Sequence, residues 1–425
     1  MQCPGRAGSV TLVALALSLV AAAGARAQYD PAQYEKTEPP KTRFRVGPIR
    51  FNPKLELRNA GRDSNATLDP TGPVPDTSVV VRGTVDGFVP VRRRARLYGE
   101  GWLDWSYFSH FNTERSIDPG GHGRAEVDFG PFTLVGGAGA LQARQLYSID
   151  IDQRILRQER WVNGGLELRL TRRFLVSGGA EQHSYRFDPS ARTASGNLNA
   201  AASLDRNNVT GTMAFRYTLT SMTTAIATGE LLQDEFRLSV PGLATTRSYR
   251  YRAGLEFGEK ALLTGRFLAG LRDFPTSSSG SLPSYRGPAF LGELALPLFN
   301  RLRLVGTALR DVFVSSTAVT TAEARARNTY VLTQFLASAD VDLPLHFVGR
   351  ASVGYSDANY LVPSLVSGVP FPRVEHLYSV GGSLLRRFSD NVRIGGTVTY
   401  YRRVSTLPGT SYERWVYGVS AEVVP

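Results

Sequence analysis

From its last segment backwards, the chain alternates. Trp415, Tyr417, Val419, Ala421 and Val423 fall on one side of an extended backbone, and Arg414, Gly418, Ser420 and Glu422 on the other. Only a period of two produces this division. It recurs in Val162, Gly164, Leu166, Leu168 and Leu170 against Asn163, Gly165, Glu167 and Arg169. It recurs again in Tyr249, Tyr251, Ala253, Leu255 and Phe257 against Arg250, Arg252, Gly254 and Glu256. One face suits lipid and the other water, as in strands that cross a membrane within a closed sheet.

These runs begin near Ile49, and their connections alternate in length. Short turns are predicted at Val91-Arg92-Arg93, Gly130-Pro131, Thr171-Arg172, Thr220-Ser221, Glu259-Lys260, Asn300-Arg301, Pro344-Leu345 and Ser389-Asp390-Asn391. Longer polar stretches lie near residues 61–75, 110–120, 146–157, 188–205, 238–246, 275–284, 316–327, 360–373 and 405–411. Outer-membrane barrels have short periplasmic turns and long external loops. The pattern therefore predicts an all-β fold, a transmembrane antiparallel up-and-down β-barrel of about 18 strands (roughly 16–18), with both termini in the periplasm. A barrel of that size has room for an aqueous lumen. After the N-terminal segment no apolar stretch reaches the length of a spanning helix.

The N-terminus carries Arg6, an apolar run from Val10 to Gly24, and then Ala25-Arg26-Ala27, the pattern of a secretory signal cleaved after Ala27. Residues 28–43 are polar, proline-containing and aperiodic, and read as a disordered periplasmic lead-in. Residues 44–425 then form the barrel. Cys3, the sole cysteine, lies inside the signal, so the mature chain has no thiol for a disulfide, a metal or nucleophilic attack. Export and spanning strands together place the protein in the outer membrane of a Gram-negative bacterium. The partners expected there are outer-membrane lipid and lipopolysaccharide, the barrel-assembly machinery, and components of polysaccharide export, but no nucleic acid.

Charge refines this picture. Lys plus Arg number 49 against 37 Asp plus Glu, and the only lysines are Lys36, Lys41, Lys54 and Lys260. On the faces assigned to the lumen, Arg82, Arg96, Arg169, Arg250, Arg252 and Arg350 are set against Glu100, Asp104, Glu167 and Glu256. These are the candidate lumen and selectivity residues, and their balance predicts a charged wall of no strong sign. The arginine excess lies beside the turns and toward the long loops. There Arg325, Arg327, Arg402 and Arg403 are candidate rim residues, either holding lipopolysaccharide phosphates bidentately or simply solvating the strand ends. Aromatics near strand ends, including Trp102, Trp105, Tyr107, Phe108, Tyr400, Tyr401, Trp415 and Tyr417, are expected in the interfacial girdles.

Catalysis has little to draw on. His110, His122 and His183, with Ser109, Ser184 or Asp118, supply the residue types of a nucleophilic triad, but no motif brings them within reach. Metal-binding histidine pairs, calcium loops and phosphate-cradling glycine loops are missing from the sequence. The expectation is a protein that is not an enzyme, with no catalytic residue, no metal and no cofactor.

The segment RFRVGPIRFNPKLELRNAGRDSNATL opens at Arg43-Phe44 and contains Val46-Gly47-Pro48, Asn52-Pro53 and Gly61-Arg62-Asp63-Ser64-Asn65. On these residues the chain resembles bacterial outer-membrane β-barrel proteins of the putative porin 2 type, including those found with exopolysaccharide biosynthesis operons. Arg62 stands where those proteins usually have an aromatic, and Val423-Val424-Pro425 replaces the terminal aromatic common in barrels. The resemblance implies a pore or export conduit and assigns no catalytic residue. Three readings stay open: a porin-like channel for small solutes or polysaccharide, a plugged structural or assembly component of an exopolysaccharide export apparatus, and an outer-membrane hydrolase. The loops near 146–157 and 188–205 are the first candidates for an inward-folded gate.

Overall fold

The computed structural model describes residues 44–68, 71–92, 94–146, 154–188, 205–237, 245–258, 260–275, 283–299, 301–314, 329–366 and 369–423. The first half of the strand order is β1 (Phe44–Val46), β2 (Ile49–Asp63), β3 (Asp76–Arg92), β4 (Ala95–Phe108), β5 (Ser116–Asp128), β6 (Phe132–Leu146), β7 (Arg154–Arg169), β8 (Phe174–Phe187), β9 (Arg206–Thr218) and β10 (Thr223–Phe236). It continues with β11 (Thr245–Phe257), β12 (Thr264–Phe274), β13 (Tyr285–Leu298), β14 (Leu302–Val314), β15 (Thr329–Asp342), β16 (Phe347–Tyr360), β17 (Ser364–Val366), β18 (Val369–Phe371), β19 (Val374–Arg387), β20 (Val392–Ser405) and β21 (Tyr412–Val423).

Eighteen of these are the staves of one antiparallel barrel: β2 to β16, then β19 to β21. Each pairs with the next, β16 passes to β19, and β21 returns to β2 to close the wall. The shortest stave has 11 residues, enough for a tilted strand to cross the hydrocarbon core, which takes about 9–11. The β17–β18 hairpin stands apart on a long connection. Strand β1 folds back on β2 through Gly47, whose φ of 59° suits glycine.

All eight short connections fall at one end of the barrel, at or within a residue or two of the turns read from the sequence. The long connections gather at the other end, the external end by barrel convention. Strand β5 starts earlier than the sequence suggests and takes in Pro119, Gly120 and Gly121, poor strand formers. Pairing decides this: β4 continues opposite them, with Trp102 against Gly120 and Glu100 against His122. Strand β7 likewise claims Arg154 onward from the predicted loop at 146–157.

The outer wall is apolar and exposed, with Leu103, Leu134, Val162, Leu271, Val353, Val380 and Val419 among its residues. Toward the long loops it carries a belt of Trp and Tyr, including the pairs Trp105–Tyr107 and Tyr400–Trp415. Toward the short turns the belt is mostly phenylalanine: Phe129, Phe132, Phe299 and Phe388. Among the described residues the buried apolar side chains form only small clusters on the wall to hold the fold. Small clusters such as Tyr330, Leu332, Ala358 and Tyr360 line the inside near the external end, and the ladder and inner-wall ion pairs do the rest.

Candidate functional site: the lumen wall and its closure seam

The seam between first and last staves is irregular. A bulge between Leu57 and Ala60 shifts the register of β2 against both neighbours, so Glu56 and then Gly61 and Asp63 face inward. The backbones come close here: a Cβ on Gly61 would lie 2.0 Å from the Tyr417 carbonyl oxygen. Just beyond, Asp63 accepts hydrogen bonds from Arg414 Nε at 2.9 Å and Nη2 at 2.6 Å. Ser64 accepts at its hydroxyl from the Trp415 amide, and Asn65 donates to the Glu413 carbonyl. The Gly61–Asn65 motif is thus the clasp that joins β2 to β21.

From the seam an alternating run of charge passes along the wall. Arg393 lies 3.7 Å from Glu422, Lys54 lies 3.0 Å from Glu422 and also meets Glu56, and Arg58 lies 3.6 Å from Glu56. Arg82 on β3 pairs with Asp104 on β4. Arg96 reaches Glu126 and Asp128. On the far arc, Glu230 takes both Arg250 and Arg252, while Asp311 takes Arg250 and, at 3.4 Å, Arg272. Arg216 meets Glu256 at 3.2 Å, and Arg350 pairs with Asp340. Charges on a half-dry wall are tolerable only when matched in this way.

Burial is uneven along the axis. Near the external end the inward side chains are almost fully covered: Arg157, Glu159, His183, Glu375 and Arg403 are each no more than 2% exposed. His183 lies between Glu159, 2.9 Å from its Nδ1, and Glu181, and stacks between Trp161 and Tyr185. Glu375 receives both Arg373 and Arg403. Near the short turns the inward groups are more open, and a cleft of about 170 Å³ is lined by Arg94, Asp128, Gly130, Pro131, Thr133, Glu167 and Arg169.

The family model described as "Putative beta-barrel porin 2" matches residues 156–424, more than half of the chain. The chain belongs to the putative β-barrel porin 2 family. No curated protein matches it. Solved structures similar to it include the siderophore receptor PirA from Pseudomonas aeruginosa, at 9% identity and TM-score 0.45, covering 88% of this chain and 80% of that one. PirA from Acinetobacter baumannii stands at 8% identity and TM-score 0.45, with 88% and 80% covered. CdiB from Acinetobacter baumannii stands at 11% identity and TM-score 0.43, with 89% and 60% covered. Family and fold together make this an outer-membrane β-barrel.

The register puts Arg82, Arg96, Glu100, Asp104, Glu167, Arg169, Arg250, Arg252, Glu256 and Arg350 on the inner face. Most are drawn into the ion pairs above. Glu167 and Arg169 sit together at the short-turn mouth, and Glu100 makes no hydrogen bond or ion pair among the described residues. The rim assignment of Arg403 is wrong: its neighbour Arg402 points outward to Glu413, so alternation turns Arg403 inward onto Glu375. Arg325 and Arg327 lie outside the described residues, as do the signal, residues 28–43, and most of the two candidate gate loops.

Three of the supposed girdle aromatics also turn inward: Trp102, Phe108 and Tyr401. Trp161 was missed altogether. Strand parity carries the missing signal, since Trp102 is an odd step from outward-facing Leu103 and Trp105. Ser109 and His110 do meet a carboxylate, that of Asp76 instead of Asp118. Both Ser109 Oγ and Asp76 Oδ1 contact the same ring nitrogen, Nδ1, and Ser109 also bonds directly to Asp76. A relay needs the hydroxyl and the carboxylate on opposite nitrogens. Asp76 also accepts from the amides of His110 and Phe111, which makes the group a clamp on the 109–115 loop. Ser184 faces lipid while His183 faces the lumen.

Proposed function

We propose that this barrel is a porin-like channel that passes polar solutes across the outer membrane. The observation that supports the reading is where packing occurs: among the described residues, the substantial contacts between elements run between neighbours around the wall. Among the described residues the only helix is the single turn Asn112–Glu114. The inner face supports the same reading, because its charges are neutralised in pairs along the wall, leaving a hydrated surface of mixed sign. Such a wall discriminates weakly between ions and needs no cofactor or chemical step. The proposal includes a Gram-negative setting, a signal cleaved after Ala27, assembly by the barrel-insertion machinery, and Arg402 among the rim groups available to lipopolysaccharide.

Planar-bilayer recording of the purified full-length barrel under a salt gradient tests this. Stable conductance steps with a small reversal potential are expected. A folded barrel that stays silent would reject the channel and favour a plugged component of an export apparatus.

A further inference from the structure

Of the four tryptophans, Trp105 and Trp415 face lipid, where barrels use indoles as interfacial anchors. Trp102 and Trp161 face the lumen, Trp161 directly across the β7–β8 ladder from His183, and both lie flat on the wall. Trp102 reaches from β4 onto β5 and covers Gly120, where a Cβ would stand 2.3 Å from its Cε2. Trp161 reaches from β7 onto β6 and covers Gly139, where a Cβ would stand 2.2 Å from its Cζ2. Gly139 pairs with His122, two residues along β5 from Gly120. The two indoles therefore arrive from opposite sides over diagonal neighbours of one ladder, positions about 7–8 Å apart.

The face of each indole away from its glycine turns to the lumen, where His183 stacks beside Trp161 with ring centroids 5.9 Å apart and Arg82 lies near Trp102, so a ligand would meet the indoles alongside these groups. Around this pair, His183 is engaged with Glu159 and Glu181, and Arg82 with Asp104, while three polar groups on the same arc are uncommitted. His122 is exposed and tilted against Trp102, ring centroids 6.1 Å apart. Glu100 is the cross-strand partner of His122, and Asn163 lies one step along β7 from Trp161 on the same face. Neither Glu100 nor Asn163 makes a hydrogen bond or ion pair among the described residues. Arg82, held by Asp104, sits 5.7 Å over the Trp102 ring and so leaves no free cation in the patch.

Flat aromatic platforms ringed by free acceptors and donors fit one ligand chemistry. A pyranose ring offers a face of weakly positive C–H groups, which packs on the negative face of an aromatic ring. Its rim of hydroxyls needs partners that accept and donate, which carboxylate, amide and imidazole supply. We propose that the β4–β7 arc of the lumen is a binding subsite for neutral saccharides, with successive sugar units of an oligosaccharide on Trp102 and Trp161. This rests on the channel reading for its transport meaning, though not for binding itself.

The test uses the full-length barrel with maltohexaose and cellohexaose as probes. In micelles, tryptophan fluorescence and titration calorimetry should show saturable binding of at least one of them. In bilayers, the same sugar should interrupt single-channel current reversibly. Replacing Trp102→Leu and Trp161→Leu together should weaken binding roughly tenfold or more, the corresponding phenylalanine pair should keep part of it, and W105L with W415L should leave it unchanged. Heat-modifiable gel migration verifies that each variant is folded. Absence of binding by both sugars to the folded wild type, or binding indifferent to the lumenal pair, overturns the subsite. Tryptophan-dependent binding in a barrel that never conducts would uphold the subsite and reject the channel.

Discussion

Arg414 grips Asp63 with two nitrogens on one edge of its guanidinium across 351 positions of sequence, and this contact lies where the barrel closes on itself. Both side chains are nearly buried. Replacing Asp63→Ala leaves an arginine with no counter-charge in a dry seam, a loss of about 3–5 kcal/mol. The gel-shift transition of the folded barrel should fall accordingly. Arg414→Lys should recover only part of the loss, because an ammonium cannot present the parallel fork that the carboxylate receives.

Selectivity should follow the acids that restrain the lumenal arginines. Neutralising Glu230→Gln and Asp311→Asn leaves Arg250, Arg252 and Arg272 in excess, so the reversal potential under a KCl gradient should move toward anion preference. Replacing Arg250→Glu and Arg252→Glu should move it toward cations. No movement in either variant would mean that the permeant path avoids the β10–β14 arc.

Two consecutive arginines should behave as unlike residues. Arg402 is exposed and 3.6 Å from an equally exposed Glu413, so Arg402→Ala should cost about 0–1 kcal/mol. Arg403→Ala strips a buried partner from Glu375 and should cost about 3 kcal/mol. Parallel thermal denaturation of the two variants checks the contrast.

The external loop at 109–115 depends on one carboxylate. Asp76→Ala removes the acceptor for the His110 and Phe111 amides and for the Ser109 hydroxyl. A loss of about 1–2 kcal/mol should speed hydrogen exchange at those two amides by roughly tenfold, with strand amides of β3 and β4 little changed. Equal acceleration throughout both strands would show that Asp76 supports the wall itself.

Much of the architecture can be read from alternation and punctuation. Runs such as Val162–Leu170 announce their two faces, and Gly130-Pro131, with Gly130 at φ 81°, breaks the strand it follows. Inner-wall residues follow wherever the period is unbroken, which is why Arg250, Arg252 and Glu256 were legible. The seam was not, because the bulge between Leu57 and Ala60 changes parity without any mark in the residues themselves. Asp63–Arg414 is a tertiary pairing with no local trace. Trp102 and Arg403 were readable in principle, but residue type outweighed parity: an aromatic near a strand end suggests a girdle, and an arginine near a loop suggests a rim.

Where an indole lies on a bare backbone, two positions in different strands become one heritable unit. A side chain gained at Gly120 must lift Trp102 off the wall, and one gained at Gly139 must lift Trp161. Loss of either indole, in turn, uncovers a glycine that weakens its strand for nothing. Across relatives of this chain, each glycine and its tryptophan should therefore be kept or abandoned together, so that co-variation between β4 and β5, and between β6 and β7, records whether a lineage still uses the inner wall.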